Sequence, residues 1–209
     1  MKNFTEKYNV SRETFEDLKT YQKLLFEWQK KFNLVSNSSL QDAWKRHFED
    51  SAQLYKYIPE NAKSLVDFGS GAGFPGLVLA IMAKSRTPYL KITLVESIRK
   101  KTLFLNEVAS KVGLSVKIEN QRIENLSDKK FDVITSRAMC SLEKLLGYSS
   151  VFCKKNTVCI FPKGKTYEEE LLNAKKTFSF NYTIENNLLS DEGKILIISN
   201  ISKKGESNA

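Results

Sequence analysis

Apolar residues near the start of the chain recur at steps of three and four. Phe15, Leu18, Tyr21, Leu25, Trp28 and Phe32 fall on one face of a helix predicted over residues 11–32. Ser11 stands where a cap is needed, and Glu13 suits the positive end of the helix. The polar run "NLVSNSS" breaks this helix. A second is predicted from about Ser39, where Ser39 and Asp42 make a capping-box-like start. Trp44, His47 or Phe48, Ser51 and Tyr55 would share its buried face, and Pro59 would end it.

From Lys63 the texture changes to short apolar runs alternating with helical segments. "SLVDF", "KITLVES", "SVKIEN", "FDVITS", "TVCIFPKG", "NYTIEN" and "KILIISN" read as strands. Between them, "FPGLVLAIMAK", "RKKTLFLNEVASKVG", "LEKLLGYSSVF" and "YEEELLNAKKTF" read as helices. Pro75 suits a first helical turn and Gly113 a helix end. This order predicts an α/β fold with a mostly parallel seven-stranded sheet. The last two strands are joined by a turn at Ser190–Gly193 and should form a hairpin, so that one antiparallel strand ends the sheet. The division expected is a helical extension over residues 1–60, a core over 61–200 and a frayed polar tail over 201–209 within one domain.

Composition narrows the class. The longest apolar run, Gly76 to Ala83, is far below the roughly 18 residues of a membrane span. "MKNFTEKYNV" has no apolar h-region. Cys140, Cys153 and Cys159 have no metal-ligand spacing, so a reduced, cytoplasmic, metal-free protein is expected. A formal charge of +9, scattered over several basic pairs, favours a folded basic face and a polyanionic partner.

The candidate chemistry lies in "VDFGSGAGFPG". Gly71, Gly73 and Gly76 make G-x-G-x-x-G, a dinucleotide fingerprint. Asp67, Gly69, Gly71 and Gly73 make D-x-G-x-G-x-G, a loop that holds S-adenosylmethionine. Glu96 ends the next strand, where a carboxylate accepts both hydroxyls of a ribose, and both cofactors carry one. Asp67 discriminates, because a carboxylate there repels a pyrophosphate and attracts a sulfonium cofactor. His47, the only histidine, precedes the sheet, and no second domain's worth of chain remains for a dehydrogenase. The balance favours a Rossmann-like S-adenosylmethionine-dependent methyltransferase over an oxidoreductase.

Two further strand ends supply candidates. Ile123 and Glu124 sit where an adenine would rest, and Arg137 faces the methyl end, where it could meet a carboxylate or an RNA phosphate. Asn/Asp-Pro-Pro-aromatic, typical of amine methylation, does not follow the fourth strand. Carbon-5 pyrimidine methylation needs a cysteine nucleophile; Cys140 is nearby, but it lacks a flanking proline and nothing in the sequence marks it as activated. Attack by an existing lone pair, such as guanine N7, needs neither a nucleophilic thiol nor a general base.

Taken together, "FNLVSNSSLQDAWKRHFEDSAQL", "DFGSGAGFPG", "QRIENL", "FDVITSRA" and the Lys-Gly of "FPKGK" resemble, in order, the blocks of the glucose-inhibited division protein B family, bacterial ribosomal RNA small subunit methyltransferases. The resemblance runs from about Trp28 to Lys165. It implies a class I methyltransferase acting on N7 of a guanine in 16S rRNA, either free or in the small ribosomal subunit. It also implies cofactor contacts at Gly69, Phe74, Ile123, Glu124 and Arg137. Arg46, His47, Asp50 and Ser51 could then line the methyl end, with Asp50 holding the N1 and N2 donors of the base; His47 could equally be a packed structural residue. Lys163, with Arg46 and Arg137, is a candidate for RNA phosphates, and a monomer is expected.

Overall fold

The fold rests on one twisted sheet with helices on both faces. The computed structural model describes residues 2–127 and 129–205. Its strands are β1 (Ser64–Phe68), β2 (Lys91–Val95), β3 (Val116–Glu119), β4 (Phe131–Ser136), β5 (Cys153–Lys163), β6 (Phe178–Asn186) and β7 (Lys194–Lys203). They lie in the order β3-β2-β1-β4-β5-β7-β6. β1 to β5 are parallel, whereas β7 runs antiparallel to both β5 and β6. The hairpin therefore forms as expected, but its antiparallel strand does not end the sheet. β7 fills the slot beside β5, and β6 takes the edge. The reason is burial: Ile195, Leu196 and Ile198 are fully buried, while β6 presents Tyr182 and Ile184 to solvent. A second correction concerns the expected tail, since Lys203 pairs with Phe178 within the sheet. Residues 206–209 lie outside the described residues.

Side-chain alternation assigns the two faces. Leu65, Ile92 and Leu94 pack with helices α5 (Gly76–Arg86) and α6 (Arg99–Lys111). Val66, Phe68, Ile134 and Phe161 pack with α7 (Leu142–Phe152) and α8 (Tyr167–Thr177) on the other face. Gly113, at φ +63°, lies just beyond α6, as its spacing predicts.

The N-terminal helices form a third layer on α5 and α6. They are α1 (Lys2–Tyr8), α2 (Arg12–Gln29) and the short α3 (Asn37–Leu40). Ser11 caps α2 by accepting the Thr14 N–H at 3.1 Å. The apolar face of α2 buries Phe15, Leu18, Tyr21 and Leu25, and Trp28 donates to Glu107 on α6 at 3.0 Å. Beyond α3 the expected single helix from Ser39 is not regular. Ser36, not Ser39, caps α3. A π-helical turn (Trp44–Glu49) then runs into α4 (Asp50–Ala52) and a 3-10 turn (Gln53–Tyr57). This irregular stretch buries His47, Phe48, Ser51 and Leu54 against the core and brings Arg46, His47 and Asp50 to the carboxyl ends of the strands.

Candidate active site

The glycine loop leaves β1 in a conformation that other residues adopt poorly. Gly69 has φ +64° and Gly73 φ +94°. At Gly73 there is also no room, because an added Cβ would lie 2.5 Å from Leu77 Cδ1 and 2.6 Å from Tyr21 Oη. The loop is tied down on several sides. Ser70 N–H donates to Val95 O at 3.0 Å, Gly73 N–H to Ser70 O at 2.7 Å, and Tyr21 Oη–H to Ala72 O.

Two carboxylates brace this loop, and both differ from expectation. Asp67 is wholly buried, accepting Gly76 N–H at 3.2 Å and the Thr135 hydroxyl at 2.9 Å. Burial pushes its pKa up to about 6. Asp67 therefore ties β1 to the start of α5 and to β4 and presents no atom to a ligand, so its direct cofactor contact is corrected to a structural one. Glu96 is only 6% exposed, not the exposed strand-end acid that its position suggests. Its two oxygens accept Gly71 N–H at 2.9 Å and Ile98 N–H at 2.7 Å. Each oxygen keeps a lone pair for a hydroxyl.

On the opposite side of the loop, one guanidinium joins the π-helical turn, α4 and the glycine loop. Arg137 donates to Asp50 Oδ2 and to Arg46 O, both at 3.0 Å, and to His47 Nδ1 at 2.9 Å. His47 Nδ1 is thus an acceptor, and its Nε2–H donates to Ser39 Oγ at 2.9 Å. Burial, with Arg137 and then Arg46 adding repulsion, lowers the His47 pKa to about 4, so the ring is neutral at pH 7. Phe74 lies between the rings of His47 and Tyr21, with centroids at 4.9 and 5.1 Å, and Arg137 sits 5.3 Å over its face. Its side chain is therefore part of an aromatic stack. Asp50 Oδ1 accepts Gln53 Nε2 at 3.0 Å and Asn187 Nδ2 at 2.8 Å, so both oxygens already hold side-chain donors.

Beside this cluster opens a cleft of about 1020 Å³, lined among others by Arg46, Asp50, Arg137, Met139, Cys140 and Lys163. Lys163 is corrected from a free phosphate contact. Its ammonium is nearly buried, pairs with Glu170 at 2.8 Å and donates to Cys140 O at 3.1 Å. Burial raises the Cys140 thiol pKa, with Lys163 opposing only in part. Ile123 and Glu124 sit apart from the cleft. Ile123 packs with Val66, Phe68 and Val95 at the strand ends, and exposed Glu124 accepts the Tyr148 hydroxyl at 3.0 Å. Sequence reasoning passes over two residues. Tyr21 carries only the signal of a helix core position, yet it holds the loop. Met139 carries no signal, yet its Sδ lies where a Gly69 Cβ would come within 2.8 Å, so it leans over the loop from the cleft side. Among the described residues no group of His, Cys, Asp and Glu could hold a metal ion, and no helix is long and apolar enough to cross a membrane.

The fold is shared with solved methyltransferases. A SAM-dependent methyltransferase from Aquifex aeolicus superposes with a TM-score of 0.58 at 14% identity, over 80% of this chain and 94% of that one. M. jannaschii TYW2, solved in complex with AdoMet, gives 0.56 at 17% identity, over 75% and 76%. Sequence similarity goes further. The chain is 38% identical over 203 residues to ribosomal RNA small subunit methyltransferase G of Rhodospirillum centenum, covering 97% of this chain and 92% of the relative. It is 40% identical over 191 residues to the protein of the same name from Orientia tsutsugamushi, covering 91% and 93%. The sequence profile of the rRNA small subunit methyltransferase G family matches residues 14–200, which sets aside the dinucleotide reading of the glycine loop. A Rossmann-like sheet, a glycine loop braced by two acids and this match over most of the chain lead to one conclusion: the chain belongs to the rRNA small subunit methyltransferase G family.

Proposed function

We propose that this chain, acting in the cytoplasm, methylates N7 of a guanine in 16S rRNA with S-adenosylmethionine as donor. The observation that carries the N7 assignment is the state of the titratable groups at the cleft. His47 has both ring nitrogens engaged, and Asp50 has a donor on each oxygen. The Cys140 thiol is held protonated by burial. None is set to remove a proton or to attack a pyrimidine carbon. Guanine N7 offers its lone pair without either service, so catalysis reduces to positioning.

The residues at the loop fit the cofactor. The positive φ of Gly69, Gly71 and Gly73 lets the backbone approach a ligand, and a Cβ at Gly71 would meet only Gly69 O, at 3.8 Å. Glu96 would accept the ribose hydroxyls, while Ile123 and Glu124 would flank the adenine. Arg137 would face the carboxylate. When bound, S-adenosylmethionine supplies a methyl group on an electron-poor sulfur. The chain's own part is to orient the partners. Asp50 and His47 hold the Arg137 guanidinium in one plane, and Met139 lies between loop and cleft, where it must yield to the incoming base. Exposed Arg46 gives one N–H to Ser38 O at 3.2 Å and has further donors with which to meet a phosphate.

Incubating the purified chain with S-adenosylmethionine and 16S rRNA, followed by borohydride–aniline cleavage, should break the RNA at a single guanine. A methyl group found on a pyrimidine carbon or an exocyclic amine overturns the assignment. The Cys140→Ser variant should retain transfer within about threefold, because the thiol does no chemistry. Loss of turnover in a folded, cofactor-binding Cys140→Ser protein would return the thiol to the mechanism.

A further inference from the structure

The crossover between β3 and β4 lacks a helix. α5, α6, α7 and α8 cover the other crossovers with 11 to 13 residues each, but this one holds only a 3-10 turn at Ile123–Asn125. The outer half of one sheet face is therefore left open. The sequence is written for that exposure. Along β3, Val116 and Ile118 point toward the α5–α6 core, and Lys117 and Glu119 alternate to the other side. The parallel register places Thr93 beside Lys117, and Ser64 beside Lys91.

The open face forms a groove of about 500 Å³ with Thr93, Ser115 and Phe131 in its lining. Around them stand four exposed lysines, Lys91, Lys117, Lys129 and Lys130. Among the described residues, the nearby acids Glu119 and Asp132 are already committed. Glu119 pairs with Lys117 itself. Asp132 accepts the Ser64 hydroxyl and backbone at 2.9 Å and pairs with Lys154 at 2.5 Å. Lys130 donates to Val151 O at 2.5 Å. Among the described residues, Lys91 and Lys129 have no partner. A concave surface with four lysines, two of them unpaired, and with Thr93, Ser115 and Phe131 between them suits the phosphate backbone of a single-stranded polyanion. It lies at the amino ends of the strands, the end opposite the candidate active site.

We propose that this groove is a second RNA-docking surface, which grips the phosphate backbone of the substrate RNA away from the methylated base. The proposal rests on the rRNA substrate assigned above. The test is titration of the full chain with protein-free 16S rRNA and with intact small subunits across a range of salt. One variant combines Lys91→Ala, Lys117→Ala and Lys129→Ala. A control combines Lys23→Ala, Lys30→Ala and Lys176→Ala, on other faces. The groove variant should bind both forms of RNA at least about 10-fold more weakly, with a log–log salt slope lower by about two to three contacts. Its affinity for S-adenosylhomocysteine should equal the parent's. A groove variant that binds rRNA like the parent, or no worse than the control variant, overturns the groove and leaves the substrate reading intact. Weakening on intact subunits alone makes the occupant a protein and overturns an RNA contact. A parent that binds rRNA in neither form overturns the substrate reading, and this surface with it.

Discussion

Glu96 holds Gly71 N–H and Ile98 N–H at once, so its removal orphans two amides at the mouth of the cofactor loop. Each unsatisfied buried donor costs about 1–3 kcal/mol. Glu96→Ala should therefore lower S-adenosylhomocysteine affinity by about 10- to 100-fold and also lower the melting temperature. Calorimetry and a thermal scan read the two effects, and an unchanged melting temperature would mean that the amides find water instead. His47 carries a pH signature. Its pKa is about 4 in the fold against the ordinary 6.5, so the unfolded chain takes up a proton that the native one refuses. Stability from this group is complete above pH 6.5 and is lost as pH falls toward 4, by about 1.4 kcal/mol per unit. Asp67 works the other way. Its pKa is raised from 3.8 to about 6, so its contribution falls as pH rises through that range. Since Asp67 is present in both proteins, comparing parent and His47→Gln by urea unfolding isolates the histidine. Between pH 7 and pH 5 the parent should lose up to about 2 kcal/mol more than the variant.

At the scale of elements, the glycine loop and α2 stand or fall together. A Gly73→Ala methyl would strike Leu77 and Tyr21 Oη, and should displace α2 as well as the loop, at about 1–3 kcal/mol with loss of cofactor binding. Gly113→Ala is the contrast. Its φ of +63° is similarly unfavourable, but its Cβ meets nothing within 4 Å. It should cost about 1–2 kcal/mol and leave cofactor affinity untouched. Equal binding losses in both variants would mean that backbone strain, not the Tyr21 contact, sets the loop. Strands and helices of the core were legible because each buries one face of its own period. The irregular stretch from Ser36 to Tyr57 was not. Three serines within "SNSS" offer rival caps, and the choice is made by a distant group, since the Ser39 hydroxyl is engaged by His47. The site was half legible for a similar reason. Arg137 and the glycines announce themselves by position at strand ends. The pairing of Lys163 with Glu170, the burial of Glu96 and the reach of Met139 depend on tertiary contacts that no local pattern carries.

For the whole molecule, the formal charge of +9 is less useful as a total than by its distribution. Lys163 is neutralised inside the fold, and its partner Glu170 also accepts Leu142 N–H at the start of α7, at 2.7 Å. Lys163→Ala should thus destabilise the chain while leaving the salt slope of rRNA binding as it was. Arg46→Ala, on the exposed rim of the cleft, should lower that slope by about one contact. Titrations of both variants over a salt series separate these outcomes, and the opposite pattern would place the RNA on the Lys163 side. The strand order has a consequence of another kind, for synthesis. β7 is the last strand to leave the ribosome, yet its place is between β5 and β6. A nascent chain can lay down the five parallel strands in turn, but β6 has no neighbour until residues after it have emerged. Until then β5 offers a bare edge carrying Cys159, Ile160 and Phe161, all fully buried once β7 arrives. A chain stopped just short of Lys194 would lose not one strand but two, and would keep that sticky edge for good.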